Sequence, residues 1–311
     1  MIKKTITMIG SSCIDVYYEL EKIPTIGEKV NGKFSGNKVG GMIGNAAAVM
    51  SGYGQEVYMI DFLEDSEESE LLISDIKNYN ISEKGIAVSN KYQNNKCLVF
   101  LEQSGERVII ILNSENEKFI LNNNQIDILN KSDYIYSTVS DLKRLNDLSI
   151  IENIINKSNT KLVLDLEEAG LKDESCFDVI KLASVVFVNE TAVEKLESLI
   201  GFNKIIETVE TVVVTLGEKG SLTYNNGSKI NHKVVMVDVV DTTGAGDTYN
   251  ASYLFGLTQN WSIEKCGKFA SYAASEKIKK IGPRSGVRPY EEIIKIMNDW
   301  KEKSSWKNYL N

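Results

Sequence analysis

Val239-Val240-Asp241-Thr242-Thr243-Gly244-Ala245-Gly246-Asp247-Thr248 joins an apolar run to a helical one through a tight turn that carries two glycines. Upstream, Val234-Val235-Met236-Val237 predicts a strand, with Asp241 just past its end. Downstream, Ala251, Leu254 and Phe255 fall at i, i+3 and i+4 and form one apolar helix face. Two glycines separated by one small residue let the backbone turn sharply and approach a ligand. The first amides of the following helix have no intrahelical partner, and the helix dipole favours negative charge beside them. Such a turn suits an anion. Asp247 lies in the same turn, where a carboxylate can take a proton from an attacking hydroxyl. Cradle and base together suit phosphoryl transfer to an alcohol. The same residues also suit a purely structural helix start, with Asp247 as a dipole partner. Two other phosphate motifs are excluded. No Lys follows Gly246, as a G-x-x-x-x-G-K-[ST] loop requires, and Tyr249 stands where a dinucleotide fingerprint needs its third glycine.

The 311 residues suffice for one large α/β domain, or for one domain with a small appendage. A hydrophobic content of 42% with 25% charged residues places the chain among globular proteins. The net charge of −8 argues against a nucleic-acid partner, which usually needs a basic face. Met1-Ile2-Lys3-Lys4 leads into a strand-like run rather than a signal segment, and no apolar run approaches the roughly 18 residues that span a membrane. Cys13, Cys97, Cys176 and Cys266 are scattered without a C-x-x-C pair, which points to reduced thiols and a cytoplasmic location. The single His232 cannot build a His-rich zinc centre.

Thr5–Gly10 predicts a first strand, followed by a polar, interrupted stretch to Lys38 and an Ala-rich helix over Ala46–Gly52. Val57–Phe62 predicts a second strand, and Ser66 caps a helix running to about Tyr79. Cys97–Glu102 and Arg107–Leu112 flank Ser104-Gly105 as a hairpin. Strands at Tyr134–Ser137, Lys161–Leu166, Val185–Asn189 and Thr211–Leu216 then alternate with helices near Leu145–Asn156, Phe177–Leu182 and Thr191–Ile200. That alternation predicts a mostly parallel sheet with helices on both faces. Ser221–Tyr224 and the Asn226-Gly227 turn predict a closing antiparallel hairpin, and Ser262–Lys280 a late helix. Residues 15–38 and 93–112 do not fit the alternation and are expected to form a small β lid. Residues 1–14, 39–92 and 113–311 would be the main domain. Ligands in open α/β folds bind at the carboxyl edge of the strands, under such a lid.

D-T-T-G-A-G-D followed by a small-residue helix resembles the C-terminal signature of the ribokinase (PfkB-type) family of carbohydrate and nucleoside kinases. The resemblance runs from Gly10 to about Arg288 and implies the three-layer α/β/α ribokinase-like fold. Gly10-Ser11-Ser12-Cys13-Ile14-Asp15 is similar to the family's first substrate loop, so Asp15 is expected to hold acceptor hydroxyls. Gly40-Gly41-Met42-Ile43-Gly44-Asn45 resembles the N-terminal signature and implies acceptor contacts from Gly40, Gly41 and Asn45. Asn189 matches the first residue of an N-x-x-E motif that organises magnesium, but Ala192 stands where the glutamate belongs. Thr215, Gly217 and Gly220 resemble the loop bordering ATP.

In the main signature, Gly244, Ala245 and Gly246 would be the anion hole and Asp247 the catalytic base. Asp241 and Thr243 fall where relatives bind a monovalent cation such as K+, and Ile281–Val287 resembles the loop completing that site. The implied activity is ATP- and Mg2+-dependent phosphorylation of a neutral sugar or sugar-like alcohol, by a protein that pairs through its lid as a homodimer. A nucleoside acceptor, or a catalytically weak sensor on the same fold, are the alternatives. A nicotinamide-dependent oxidoreductase is disfavoured by the missing third glycine. Glu167 and Glu168 follow a strand end at the acceptor edge, where they would repel an acidic acceptor unless Arg107 balanced it.

Overall fold

The computed structural model describes residues 1–102, 107–112 and 118–307; the side chains of residues 107 and 300–307 lie outside that description. The Ser104-Gly105 turn and any reach of the Arg107 side chain are therefore outside the described residues. The chain opens with β1 (Thr5–Ile9), β2 (Cys13–Leu20), β3 (Gly32–Gly40), α1 (Met42–Gly52), β4 (Glu56–Leu63), α2 (Glu67–Asn78) and β5 (Ser82–Val88). It continues through β6 (Asn95–Glu102), β7 (Arg107–Leu112), α3 (Asn123–Asn130), β8 (Tyr134–Thr138), α4 (Val139–Lys143), α5 (Ser149–Lys157) and β9 (Lys161–Leu166). Next come α6 (Cys176–Ile180), β10 (Val185–Asn189), α7 (Glu190–Ile200), α8 (Phe202–Thr208), β11 (Thr211–Thr215), β12 (Ser221–Asn225) and β13 (Ser228–His232). Three helices follow, α9 (Ala245–Thr258), α10 (Ile263–Lys277) and α11 (Tyr290–Lys307).

Nine strands form one sheet in the order β13-β12-β11-β10-β9-β8-β1-β4-β5. It is parallel from β11 to β5, with the β12–β13 hairpin antiparallel at one edge. Strand periodicity makes it the middle layer. In β10, Val185 and Phe187 enter one core, while Val186 and Val188 enter the other. The first core is closed by α1, α9, α10 and α11 through Ala46, Ala47, Phe255, Phe269 and Ile293. The second is closed by the helices from α3 to α8 through Leu129, Ile151, Val179, Leu196 and Ile205. This is the α/β/α fold expected from the alternation of elements.

After β1 the chain builds β4 and β5 on one side and later β8 onward on the other. The strand order therefore reverses beside β1, and the carboxyl ends there frame the ligand crevice of such folds. The second sheet, β3-β2-β6-β7, is attached at that point. It leaves β1 through Gly10–Ser12 and returns directly into α1 at Gly41. Ile14, Leu63 and Leu72 form the buried seam between the two sheets.

The expected strand over Val234–Val237 is a correction. Residues 233–239 hold no regular element, and Val234 and Met236 are 37% and 75% exposed. The sheet already ends at β13, so these valines have no strand to pair with. The expected helix start at Leu145 also moves: Leu145 bridges to Phe119, and α5 begins at Ser149. Strand β5 and helices α3, α4 and α8 were not read from the sequence. Among the described residues no helix is long and apolar enough to cross a membrane.

Helix α10 packs on β13 at Gly267, where an added Cβ would run into the His232 ring. That ring is buried, and its Nε2 shares a 3.0 Å hydrogen bond with Thr223 Oγ1. In an exposed helix Gly→Ala stabilises by about 0.5–1 kcal/mol, whereas overpacking costs about 1–3 kcal/mol. The overlap should win. Gly267→Ala is expected to lose about 1–2 kcal/mol in urea unfolding; an unchanged or raised midpoint would show that the His232 ring yields freely.

Candidate active site

Helix α9 starts in the way an anion cradle requires. Gly244 is its N-cap at φ 77°, a left-handed conformation, and a Cβ there would also collide with the Pro283 carbonyl. Apart from its chain neighbours and its own helix backbone, no heavy atom lies within 4 Å of where a Cβ on Gly246 would stand, so a ligand can approach the backbone there. Ala245 departs from its expected part in the cradle. Its amide donates to the Thr242 carbonyl at 3.0 Å and closes the turn instead.

Asp247, in the first turn, accepts a 2.7 Å hydrogen bond at Oδ2 from Asn45 Nδ2 of α1. The Asn45 carbonyl oxygen in turn accepts from Arg284 Nε at 2.9 Å. Arg284 is buried, pairs with Asp75 of α2, and holds its guanidinium carbon 5.3 Å from the Tyr79 ring centroid. Behind Asp247, the buried Asp165 accepts 2.8 Å bonds at Oδ2 from Tyr136 and from Asn250. Burial pushes the Asp247 carboxyl up to about 7; the Asn45 bond and Arg284 pull it down, while Asp165 and Glu167 push it higher. Glu167 opens to solvent at the end of β9, yet desolvation, then Asp165 and Asp141, raise it to about 7 as well.

Of the acceptor-side residues expected from the sequence, Asn45 bonds this arginine and Asp15 feels its charge. Asp15 lies on β2, and Gly40 backs directly onto its carboxyl group. Gly41 is the N-cap of α1, and its carbonyl accepts from the Asn45 amide at 2.9 Å. Burial raises Asp15, whereas thiol hydrogen bonds from Cys13 and Cys97 and the charges of Arg284 and Lys38 lower it. The loop before β2 is pinned by Asp61, which accepts from the Ser12 amide at 2.7 Å and is raised by burial to about 7.

The nucleotide-side residues have more structural explanations than expected. Asn189 Oδ1 accepts from the Ala192 amide at 2.8 Å and the Thr191 hydroxyl at 2.9 Å, so it caps α7. Ala192 is fully buried in the second core. Glu190 is exposed instead and pairs with Lys219 at 3.1 Å. Thr215 ends β11, Gly217 opens the following turn, and Gly220 lies against the His232 carbonyl.

Asp241 accepts from the Thr243 amide and hydroxyl at 2.9 and 2.7 Å and from the Gly282 amide at 2.8 Å. Burial would raise it, but these bonds and the Lys277 charge outweigh that and hold it at about 2. The fully buried Lys277 also donates at 3.0 Å to the Asp241 carbonyl. The late loop therefore closes on Asp241 through the Gly282 amide, while its arginine leaves that side and reaches Asn45. Arg284, Asp75, Asp165, Tyr136, Asn250 and Lys277 were not singled out as site residues. Asn250 could have been, since it lies one turn after Asp247. The Arg284–Asp75 pair spans 209 residues and has no local signature.

A sequence model described as pfkB family carbohydrate kinase matches residues 3–289. A curated sugar kinase of Archaeoglobus fulgidus is 26% identical, over 76% of this chain and 97% of its own. Ribokinase of Arabidopsis thaliana is 25% identical over 94% of this chain and 80% of its own. Its structure complexed with ribose and ATP superposes with a TM-score of 0.79 at 21% identity, covering 96% of this chain and 99% of that one. A nucleoside kinase of Methanocaldococcus jannaschii is 21% identical over 93% of this chain and 95% of its own. The nucleoside kinase structure from the same organism has a TM-score of 0.77 at 18% identity, covering 96% and 99% of the two chains. The structural likenesses bear on the fold, and the nearly full-length family match bears on descent: this chain belongs to the pfkB family of carbohydrate kinases.

Proposed function

We propose that this chain transfers the γ-phosphoryl group of ATP to a hydroxyl of a neutral sugar or sugar-like acceptor, with Asp247 as the base. The observation carrying this reading is the carboxyl group of Asp247, held near neutrality and oriented by Asn45 beside the open backbone of Gly246. Because Asn45 engages Oδ2, Oδ1 takes the hydroxyl proton. Asp15, Gly40, Gly41 and Asn45 hold the acceptor, and the amide of Gly246 faces the developing charge. Magnesium, when bound, neutralises the phosphates during in-line displacement. Glu190 would be the carboxylate that holds it, on giving up its exposed pair with Lys219, since the Ala192 methyl is buried and the Asn189 oxygen caps a helix. Thr215, Gly217 and Gly220 border the nucleotide. The small sheet, residues 15–38 and 93–112, serves as a lid that excludes water. Four free thiols suit a reducing cytoplasm.

A neutral acceptor is favoured by the carboxyl groups of Asp15 and Glu167 at the cleft, because the nearby Arg284 is already committed to Asp75 and Asn45. Like charges about 4 Å apart cost on the order of 4 kcal/mol at an effective dielectric near 20. A coupled ADP-release screen over sugars, nucleosides, amino sugars and sugar acids tests this reading, and a sugar acid with the highest kcat/KM would overturn the neutral assignment. With the best acceptor, Asp247→Asn should lower kcat by roughly 10²–10⁴. The base works ionised, so kcat/KM should rise with pH through about 7. Glu167→Gln removes a repulsion that disfavours ionisation and should move that limb to lower pH. A wild-type rate in Asp247→Asn would reduce Asp247 to a helix-terminal residue.

Asp241 and Thr243 were expected to bind K+. We assign that charge to the Lys277 ammonium, already seated on the Asp241 carbonyl. Replacing potassium in the buffer by a bulky organic cation should leave kcat unchanged, and a strong potassium requirement would refute the assignment.

A second copy of the chain is the proposed partner of β7. Val108, Ile109, Ile110, Ile111 and Leu112 are all 37–59% exposed on this sheet edge, an arrangement that natural edge strands avoid unless it is covered. Light scattering should find a dimer that Ile109→Lys with Ile111→Lys converts to monomer; a monomeric wild type would exclude this interface.

A further inference from the structure

Cys13, Asp15 and Cys97 face one side of the small sheet. Along parallel strands β2 and β6, Cys13 pairs with Asn95 and Asp15 with Cys97, so Asp15 and Cys97 are direct neighbours and Cys13 is diagonal to Cys97. The two sulfurs lie 3.9 Å apart, and Cys13 Sγ lies 3.1 Å from Asp15 Oδ1. One donor atom from each residue fits within 4.8 Å of the others. Two thiolates bound to tetrahedral zinc at about 2.3 Å stand roughly 3.8 Å apart, close to the spacing already present. A disulfide fits less well. Strand separation of about 4.8 Å and two residue rises of about 3.3 Å put the diagonal α-carbons about 8 Å apart, beyond the roughly 7 Å that a disulfide can bridge.

We propose that Cys13, Asp15 and Cys97 bind a thiophilic divalent cation of the zinc class, in competition with the kinase acceptor. The three donors supply two sulfurs and one carboxylate oxygen, and leave the fourth tetrahedral position to water. Both thiols release their protons to solvent when the cation binds, so affinity rises with pH. The Glu167 carboxylate bears on Cys97 and favours a cation there. Lys38 and Arg284 bear on Asp15 and oppose it; Arg284 is, however, already paired with Asp75. A bound cation takes the Asp15 oxygen from the acceptor. That competition, unlike the binding itself, rests on the kinase reading above.

The test is a zinc titration of the chelator-treated full chain against a chromophoric chelator, with the Co2+ spectrum read in parallel. One equivalent should bind, with a thiolate-to-cobalt charge-transfer band. Cys13→Ser, Cys97→Ser and Cys97→Ala should each weaken binding about tenfold or more, and Cys176→Ser, in the second core, should keep it. Equal affinity in the Cys97 variants, or a Cys13–Cys97 disulfide forming under mild oxidant, would overturn the site. Zinc should raise the acceptor KM of wild type and not of Cys97→Ser. Binding without that rise overturns the competition alone. A chain that phosphorylates no acceptor fails the kinase reading, while the chelator titration still decides the metal site.

Discussion

The arrangement of the cleft depends on burying the Arg284 guanidinium. A planar cation with five donors cannot stay inside a protein unless its edges are paired. Its partners come from three places: Asp75 on α2, Asn45 on α1 and the face of Tyr79. Asn45 then has one end committed to Arg284, and its amide nitrogen is left to bond Asp247. Removing one member of a buried ion pair typically costs about 3–5 kcal/mol. The loop after α10, the two N-terminal helices and the first turn of α9 are therefore coupled through one side chain. A lysine would keep the charge but not the fork that reaches Asn45 and Asp75 together.

Two aspartates six residues apart show how environment assigns roles within one turn. Asp241 receives bonds from Thr243 and Gly282 with Lys277 beside it, and is held at about 2. It serves as a fixed anion that ties the late loop to the helix start. Asp247 receives one side-chain bond, is desolvated, and faces Asp165 and Glu167, which puts it at about 7. A carboxyl group that releases and regains a proton near neutrality suits general-base work, whereas one held far below does not. The difference is set by donors and neighbouring charges, because the residue type is the same.

Much of the framework was legible in the chain. Val-rich runs such as Val185–Val188 and Thr211–Val214 alternate with amphipathic segments, and both faces of each strand are apolar because helices cover both. Errors fell where apolarity and sheet membership part company. Val234–Val237 is apolar enough for a strand but lies beyond the last sheet edge. The edge strand β5, Ser-Glu-Lys-Gly-Ile-Ala-Val, is too polar to stand out, and its place beside β4 comes from pairing.

The D-T-T-G-A-G-D stretch by itself determined the tight glycine turn at the start of α9, the place of Asp247 in its first turn and the family resemblance, since glycine conformation and short-range spacing are local properties. The positions of Asp15, Gly40 and Asn45 were also readable from their motifs. Only the tertiary structure decided that Asn45 orients Asp247, that Arg284 rather than a neighbouring residue orients Asn45, and that Lys277 sits at Asp241. It also decided that the Ala245 amide closes a turn and that Ala192 is core. The reason is physical: a buried charge is stabilised by partners within about 3 Å in space, and those partners lie tens to hundreds of residues away along the chain.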